Sequence, residues 1–328
     1  MIPDAKMRPL YIARLLEELT DEEHYLSTVQ LQNLLEERWG IKPYRQTIPN
    51  DIEMLQKAGM DIKIVASTQN RYSLVSRHFD DAELKLLIDA VASAKFISKK
   101  KSQELAGKLS ALASSYKAVE LRRNISVESR IKSENEQALL IIDAINEAIN
   151  RGKQIRFQYF HYNIRKRPEA KWDGYWYHTS PHRLIWNGDY YYVLCWNEKY
   201  NNISTYRIDR MVSQPIILEE AAVPMPKGFN LDRYINSMFR MYSAGAERIP
   251  VELICENDLM DAMIDRFGQN VKTKKVDENH FETDVAVAVN SVFFSWIFGF
   301  GGKVKIAGPE NVKQQYAEMV RQASEGLA

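Results

Sequence analysis

The run NGDYYYVLCWNEKYNNISTYRIDRM, Asn187 to Met211, decides how this chain is read. Asn187-Gly188 is a tight-turn dipeptide, and alternating residues on either side of it point to strands. In DYYYVLCW, Tyr190, Tyr192, Leu194 and Trp196 share one face, and Tyr191, Val193 and Cys195 share the other. Both faces are largely apolar. Such a strand needs cover twice, once from its own core and once from another domain, a partner subunit or a flat ligand.

The same period of two extends outward through QIRFQYF, WYHTSPHRLIWN and ISTYRID, with KYNN as a second turn. Together these predict a small antiparallel sheet or barrel. Residues 151–211 hold eleven Lys/Arg against five Asp/Glu, and four of the six tryptophans. Rings interleaved with cations suit single-stranded nucleic acid or nucleotides, because a ring stacks a base and a cation meets a phosphate. Arg207 and Arg210 can each offer a two-pronged fork to a phosphate. The plain alternative is that each pairs with Asp209 or another acid. Tyr159 and Tyr191 are either stacking platforms or barrel packing.

Beyond the sheet, VELICE, a helix from Asp258 to Phe267, HFETDVAVAV, a helix around VFFSWIFGFG, VKIAG and a last helix from Pro309 give a β-α-β-α-β-α order. That order predicts a ferredoxin-like unit.

Toward the N-terminus the period becomes helical. Leu10, Ile12, Leu15, Leu16 and Leu19 are expected on one face of a first helix. Ser27 or Thr28 caps a second, with Val29, Leu31, Leu34 and Leu35 as its stripe and Gly40 as its stop. A third runs through YRQTIPNDIEMLQKAG, with Ile48, Ile52 and Leu55 inward and Pro49 confined to the first turn. MDIKIVAS and RYSLV then form a hairpin. Three short helices, a tight turn before the third and a hairpin make a winged helix-turn-helix. From Arg38 to Arg77 there are seven Lys/Arg and three Asp/Glu, as a DNA-facing side requires. Tyr44, Arg45, Gln46, Thr47 and Asn50 open the third helix and are the candidates for base edges or phosphates, with Arg71 at the wing. A solvated helix face is the alternative. Residues 80–150 read as connecting helices, suited to a rigid coupling or a dimer contact.

At 328 residues the chain predicts two or three domains, and 45% hydrophobic with 27% charged residues is ordinary for a soluble globular protein. No apolar run is long enough for a membrane span, no secretory leader is evident, and two cysteines, Cys195 and Cys255, fit a reducing compartment. No membrane partner is expected. His161, His178, His182 and Cys195 lack zinc spacing. FGFGGK at 298–303 lacks the Ser/Thr and the strand-before, helix-after context of a phosphate loop. No catalytic constellation appears, so an enzyme and a cofactor are not expected.

Gly188-Asp-Tyr-Tyr-Tyr-Val, with SPHRL before it and TYRIDRM after it, resembles the WYL family. The Trp-Tyr-Leu triplet of that family falls on Tyr190, Tyr191 and Tyr192. Its P-x-x-L element falls on Pro181 to Leu184, and its F-R-L-D-R-I element on Tyr206 to Met211. The tail VNSVFFSWIFGFGGKVKIAGPENV is similar to the WCX extension that accompanies the domain. The first and third letters of the triplet depart from the pattern. The resemblance implies a multidomain α+β bacterial transcription regulator: a winged helix-turn-helix over 1–79, a helical connector over 80–149, an Sm-like or SH3-like WYL barrel over 150–222, and a WCX-like domain over 247–328. It implies a cytoplasmic homodimer on operator DNA, with a nucleotide or single-stranded nucleic acid sensed by the barrel. It adds Ser180 and His182 to Tyr159, Tyr191, Arg207 and Arg210 as ligand candidates. Two rival expectations are a DNA-binding regulator whose barrel only dimerises, and a nucleic-acid-processing accessory factor.

Overall fold

The computed structural model describes residues 5–66, 68–123, 131–199, 201–230, 234–235 and 248–326. The chain forms two compact units, Met1–Ala138 and Leu139–Ala328.

The first unit opens with α1 (Arg8–Leu19), β1 (Leu26–Ser27), α2 (Thr28–Trp39), α3 (Thr47–Lys57), β2 (Ile62–Val65) and β3 (Arg71–Leu74). The strands form an antiparallel sheet in the order β1-β3-β2. Ile12, Leu15 and Leu16 of α1 are fully buried, but Leu10 is 55% exposed. Residues two apart on a helix lie roughly 200° apart, so Leu10 and Ile12 cannot share a face. Ser27 caps α2: its hydroxyl accepts from the Gln30 N–H, and the Gln30 side chain accepts from the Ser27 N–H. Gly40 ends the helix at φ 67°. Helix α3 begins only at Thr47, because a helix reaching back to Arg45 would drive the Pro49 ring into the Arg45 carbonyl. Ile48 and Ile52 of α3 close on Leu31, Leu35 and Tyr72. Each such buried aliphatic side chain contributes about 1.5–3 kcal/mol.

Three further helices follow, α4 (Asp81–Ser93), α5 (Lys99–Ser110) and α6 (Ser115–Arg123), around Leu84, Ile88, Ala106 and Leu121. The last was not anticipated as a separate element. The Lys132 ammonium donates to the carbonyls of Val91 and Ala94 at the end of α4 and to the Ser102 hydroxyl, a favourable place for a cation. The Ser114 hydroxyl donates to the Asp21 carboxylate at 2.7 Å, and His24 stacks on Tyr116 with centroids 3.6 Å apart. These contacts tie the helical connector to the three-helix bundle.

The second unit takes in α7 (Ala138–Asn150) from Leu139 onward, and Ile141, Ala144, Ile145 and Ala148 of this helix are buried at helical spacing. Then come β4 (Lys153–Gln158), β5 (Phe160–Tyr162), β6 (Pro168–Ala170), β7 (Trp176–Asn187), β8 (Tyr190–Asn197), β9 (Asn202–Arg207) and β10 (Ile216–Ala221). The main sheet runs β10-β4-β7-β8-β9, antiparallel throughout, with an irregularity between Pro181 and Arg183. A 3-10 turn, Ile208–Arg210, carries the chain from β9 back to β4, where Met211 bridges Tyr159. Neither the short β5/β6 hairpin nor β10 was expected from the pattern. The second cover of the two-faced strand β8 comes from the chain itself. Met225, Phe229, Tyr234 and Ile235 pack on Ile185, Tyr192, Leu194 and Ile203.

The rest of this unit is β11 (Arg248–Glu256), α8 (Met260–Phe267), β12 (Thr273–Lys275), β13 (His280–Ala288), α9 (Ser291–Phe298), β14 (Val304–Gly308) and α10 (Glu310–Glu325). Its antiparallel sheet has the order β12-β13-β11-β14. The expected order lacked β12, which pairs over only three residues, all exposed, and so carries no apolar alternation. Phe293, Phe294 and Ile297 of α9 bury against Val251, Leu253, Val285 and Val287. The Asn290 side chain caps α9 by accepting from the N–H groups of Val292 and Phe293. The FGFGGK run ends α9 and leads into β14, without forming a strand-to-helix loop.

Candidate functional site

Two surfaces gather the residues singled out above. The first lies around the start of α3. Tyr44, Arg45 and Gln46 sit in the turn before the helix and are exposed, Tyr44 at 84%. Thr47 opens the helix, and its hydroxyl donates to the Tyr44 carbonyl at 2.7 Å, which fixes the turn. Asn50 is exposed one residue past Pro49. Arg45 reaches across the unit: Nη2 donates to the Thr68 carbonyl at the hairpin tip, 3.1 Å away. Arg71 is exposed at the start of β3. The other side of α3 is anchored by the buried Asp51, which accepts two hydrogen bonds from Arg8.

The second surface lies at the turn after β9. Arg207 donates from Nε to Asp209 Oδ1 at 3.1 Å and from Nη2 to Asp209 Oδ2 at 2.8 Å. Its guanidinium also lies 3.3 Å from the Tyr190 ring centroid. Burial works against the Arg207 charge, but the bonds and attraction to Asp209 more than offset it and raise its pKa. Arg207 therefore takes the structural option in part. Arg210 forms no ion pair among the described residues. It lies 4.5 Å from the Tyr162 centroid and 5.6 Å from that of Phe160, both on the β5/β6 hairpin. A cation backed by two rings and half open to solvent can meet an anion.

The other candidates divide between two faces. Tyr159 joins Phe157, Tyr177 and Tyr206 in a cluster of edge-on rings on the inner face. Its hydroxyl accepts from the Arg207 backbone N–H at 3.0 Å, and burial pushes its pKa well above the usual value. Tyr159 thus packs and positions the arginine. Tyr191 is half-buried, edge-on to Trp186 at 6.5 Å, and alternation puts it on the face opposite Tyr190 and Tyr192. Ser180 is 2% exposed and its hydroxyl accepts from the Val223 N–H at 2.9 Å. His182 sits at the irregularity of β7, half-buried. Its Nε2 is buried with no hydrogen-bond partner among the described residues, and burial holds its pKa below the ordinary value. Tyr162 and Phe160 were missed because their hairpin left no alternation to read. Tyr190 was noticed for its face and not for the cation above it. Among the described residues no group of three His, Cys, Asp or Glu side chains could hold a metal ion.

Residues 141–214, from α7 through the Arg207–Arg210 turn, match the WYL domain family. The chain carries a WYL domain. Residues 247–324 match the WCX domain, so a WCX domain follows the WYL domain. No curated protein matches the chain. Among solved structures, proteasome accessory factor B/C (PafBC) of Arthrobacter aurescens is similar at 15% identity and a TM-score of 0.32, over 96% of this chain and 47% of that one. The chain thus spans about half the length of that relative. A crystal structure of a CRISPR Cas-related protein is similar at 13% identity and a TM-score of 0.39, over 77% of this chain and 75% of that one. Among the described residues no helix is long and apolar enough to cross a membrane.

Proposed function

We propose that this WYL-domain protein is a transcription regulator that binds operator DNA through its first unit and senses an anionic, nucleotide-like ligand through its WYL domain. The first unit is read as a winged helix-turn-helix. Supporting that are its element order, the β1-β3-β2 sheet and the exposed turn at Tyr44 to Gln46. The WYL sheet is read as an Sm-like barrel, supported by the Ile208–Arg210 turn and the Met211–Tyr159 bridge. The WCX domain is read as ferredoxin-like, supported by its β-α-β-β-α-β-α order and its β12-β13-β11-β14 sheet. A cytoplasmic homodimer on a near-palindromic operator completes the reading, with residues 1–79, 80–149, 150–222 and 247–328 as working divisions.

The observation that carries the ligand reading is Arg210, unpaired by any acid among the described residues and backed by Tyr162 and Phe160. The test is binding of a fluorescent single-stranded oligonucleotide pool to wild type and to Arg210→Ala, after both prove folded. A loss of roughly tenfold or more is expected, the worth of one charge-assisted contact. Equal binding by both would reject the assignment. A second reading, in which the WYL domain only dimerises, draws on the Arg207 fork being filled by Asp209. It predicts that wild type binds neither oligonucleotide nor nucleotide and that Arg207→Ala weakens the dimer.

A further inference from the structure

A cavity of about 380 Å³ opens in the WYL domain, and of the ligand candidates above only Ser180 lines it. Trp172, Tyr175 and Trp196 bring rings to its wall, and Gln154, His178 and Glu198 bring polar groups. The loop that presents Trp172 is held in a costly conformation. Trp172 (φ 53°, ψ 52°) and Asp173 (φ 50°, ψ 37°) both occupy the left-handed region, which bulky residues rarely adopt. The loop is pinned by Gln158 Nε2 donating to the Gly174 carbonyl at 2.7 Å and by the Lys171 N–H donating to the Tyr159 carbonyl at 2.7 Å. The result is an indole 73% exposed at a cavity, where it adds little to any core.

The lining narrows the ligand class. The volume lies at the small end of the roughly 300–1,000 Å³ range of small-molecule sites. Aromatic walls favour a planar molecule. The Gln154 amide nitrogen is committed to the Ala221 carbonyl at 3.2 Å, so its own carbonyl remains an acceptor. The His178 ring nitrogens can donate and accept and Glu198 adds an acceptor, a set that can read the edge of a nitrogen ring. Glu198 and Lys199 carry opposite charges at the wall, so no net field there calls for a phosphate. We propose that this cavity binds an uncharged planar nitrogen heterocycle of nucleobase type, at a site separate from the Arg210 surface.

Nucleosides, which lack phosphate, test this independently of the arginines. Adenosine, guanosine, cytidine and thymidine would each be titrated into the full chain and followed by saturation-transfer NMR and tryptophan fluorescence. At least one is expected to bind with a Kd below about 1 mM. Trp172→Ala, which alters an exposed side chain, is expected to weaken it roughly tenfold, and Tyr175→Leu to weaken it as well. Arg207→Ala/Arg210→Ala is expected to leave it unchanged. Binding of none of the four at several millimolar, or equal binding by wild type and Trp172→Ala, overturns the proposal. Loss in the double arginine variant while it remains folded overturns the separateness of the site. Oligonucleotide binding that depends on Arg210 can stand or fall without any of these results.

Discussion

Asp209 holds Arg207 by two hydrogen bonds and lies directly before Arg210, which no acid engages among the described residues. One turn therefore presents two arginines of different character. Asp209 is 4% exposed, so removing Arg207 takes a two-pronged cation away from a buried carboxylate. Removing the partner from a buried ion pair costs about 3–5 kcal/mol, and the partial exposure of Arg207 lowers that figure. We expect Arg207→Ala to destabilise the protein by roughly 2–3 kcal/mol and Arg210→Ala by less than about 1 kcal/mol. Urea unfolding of the two variants checks the order. Equal losses would mean that Asp209 does not depend on Arg207.

Arg45 carries the prediction for the proposed DNA-binding face. Its contact with the Thr68 carbonyl uses one guanidinium nitrogen and ties the α3 turn to the hairpin tip. If the remaining donors meet a base edge, Arg45→Ala lowers affinity for the preferred operator by about 1–3 kcal/mol and relaxes one position. Binding to double-stranded DNA, measured on selected and scrambled sequences across salt concentrations, checks this. A uniform loss with a shallower salt slope makes Arg45 a phosphate contact. Unchanged binding removes it from the interface.

Much of the fold was legible because alternation and helical spacing are local properties. Ser27, Gly40 and Asn187-Gly188 marked boundaries by chemistry that acts within a few residues. The elements that escaped notice were the ones without a local signature. Strand β12 is exposed along its length, and the β5/β6 hairpin spans three residues a side. The candidate site was less legible, since residue type names a capacity and not an engagement. The sequence offered Arg207 and Arg210 as equals, and only packing put Asp209 against one and rings behind the other. Likewise, the apolar outer face of β8 raised the question of a cover, and the answer came from Met225, Phe229, Tyr234 and Ile235 further along the chain.

Asp21 links acid sensitivity to the first unit. Burial pushes its carboxyl up, but hydrogen bonds from Ser114, His24 and the N–H groups of Glu23 and His24 outweigh burial and lower its pKa. A carboxyl whose folded pKa is depressed contributes stability that is present above its unfolded value, about 4. That stability is lost as pH falls through the lower folded value. Thermal melts from pH 7 to pH 2 should therefore show wild type losing its advantage over Asp21→Asn below about pH 4. Parallel curves for the two proteins would sink the idea.

The two cysteines give the last prediction. Burial pushes the Cys195 thiol up to about 12 and the Cys255 thiol up to about 11. Both are free and buried within the cores of the second unit. The thiolate is the reactive form, and at pH 8 almost none exists at either position. A disulfide reagent added to native protein at pH 8 should therefore modify neither thiol over minutes, and both should react at once in strong denaturant. The rate of native labelling then reports opening of each core separately, through Cys195→Ser and Cys255→Ser. Cys195 lies in β8, beneath the Arg207 face, so a ligand that binds there and tightens the WYL domain should slow its labelling and leave Cys255 labelling unaltered. Immediate reaction of native wild type would contradict the burial of these thiols.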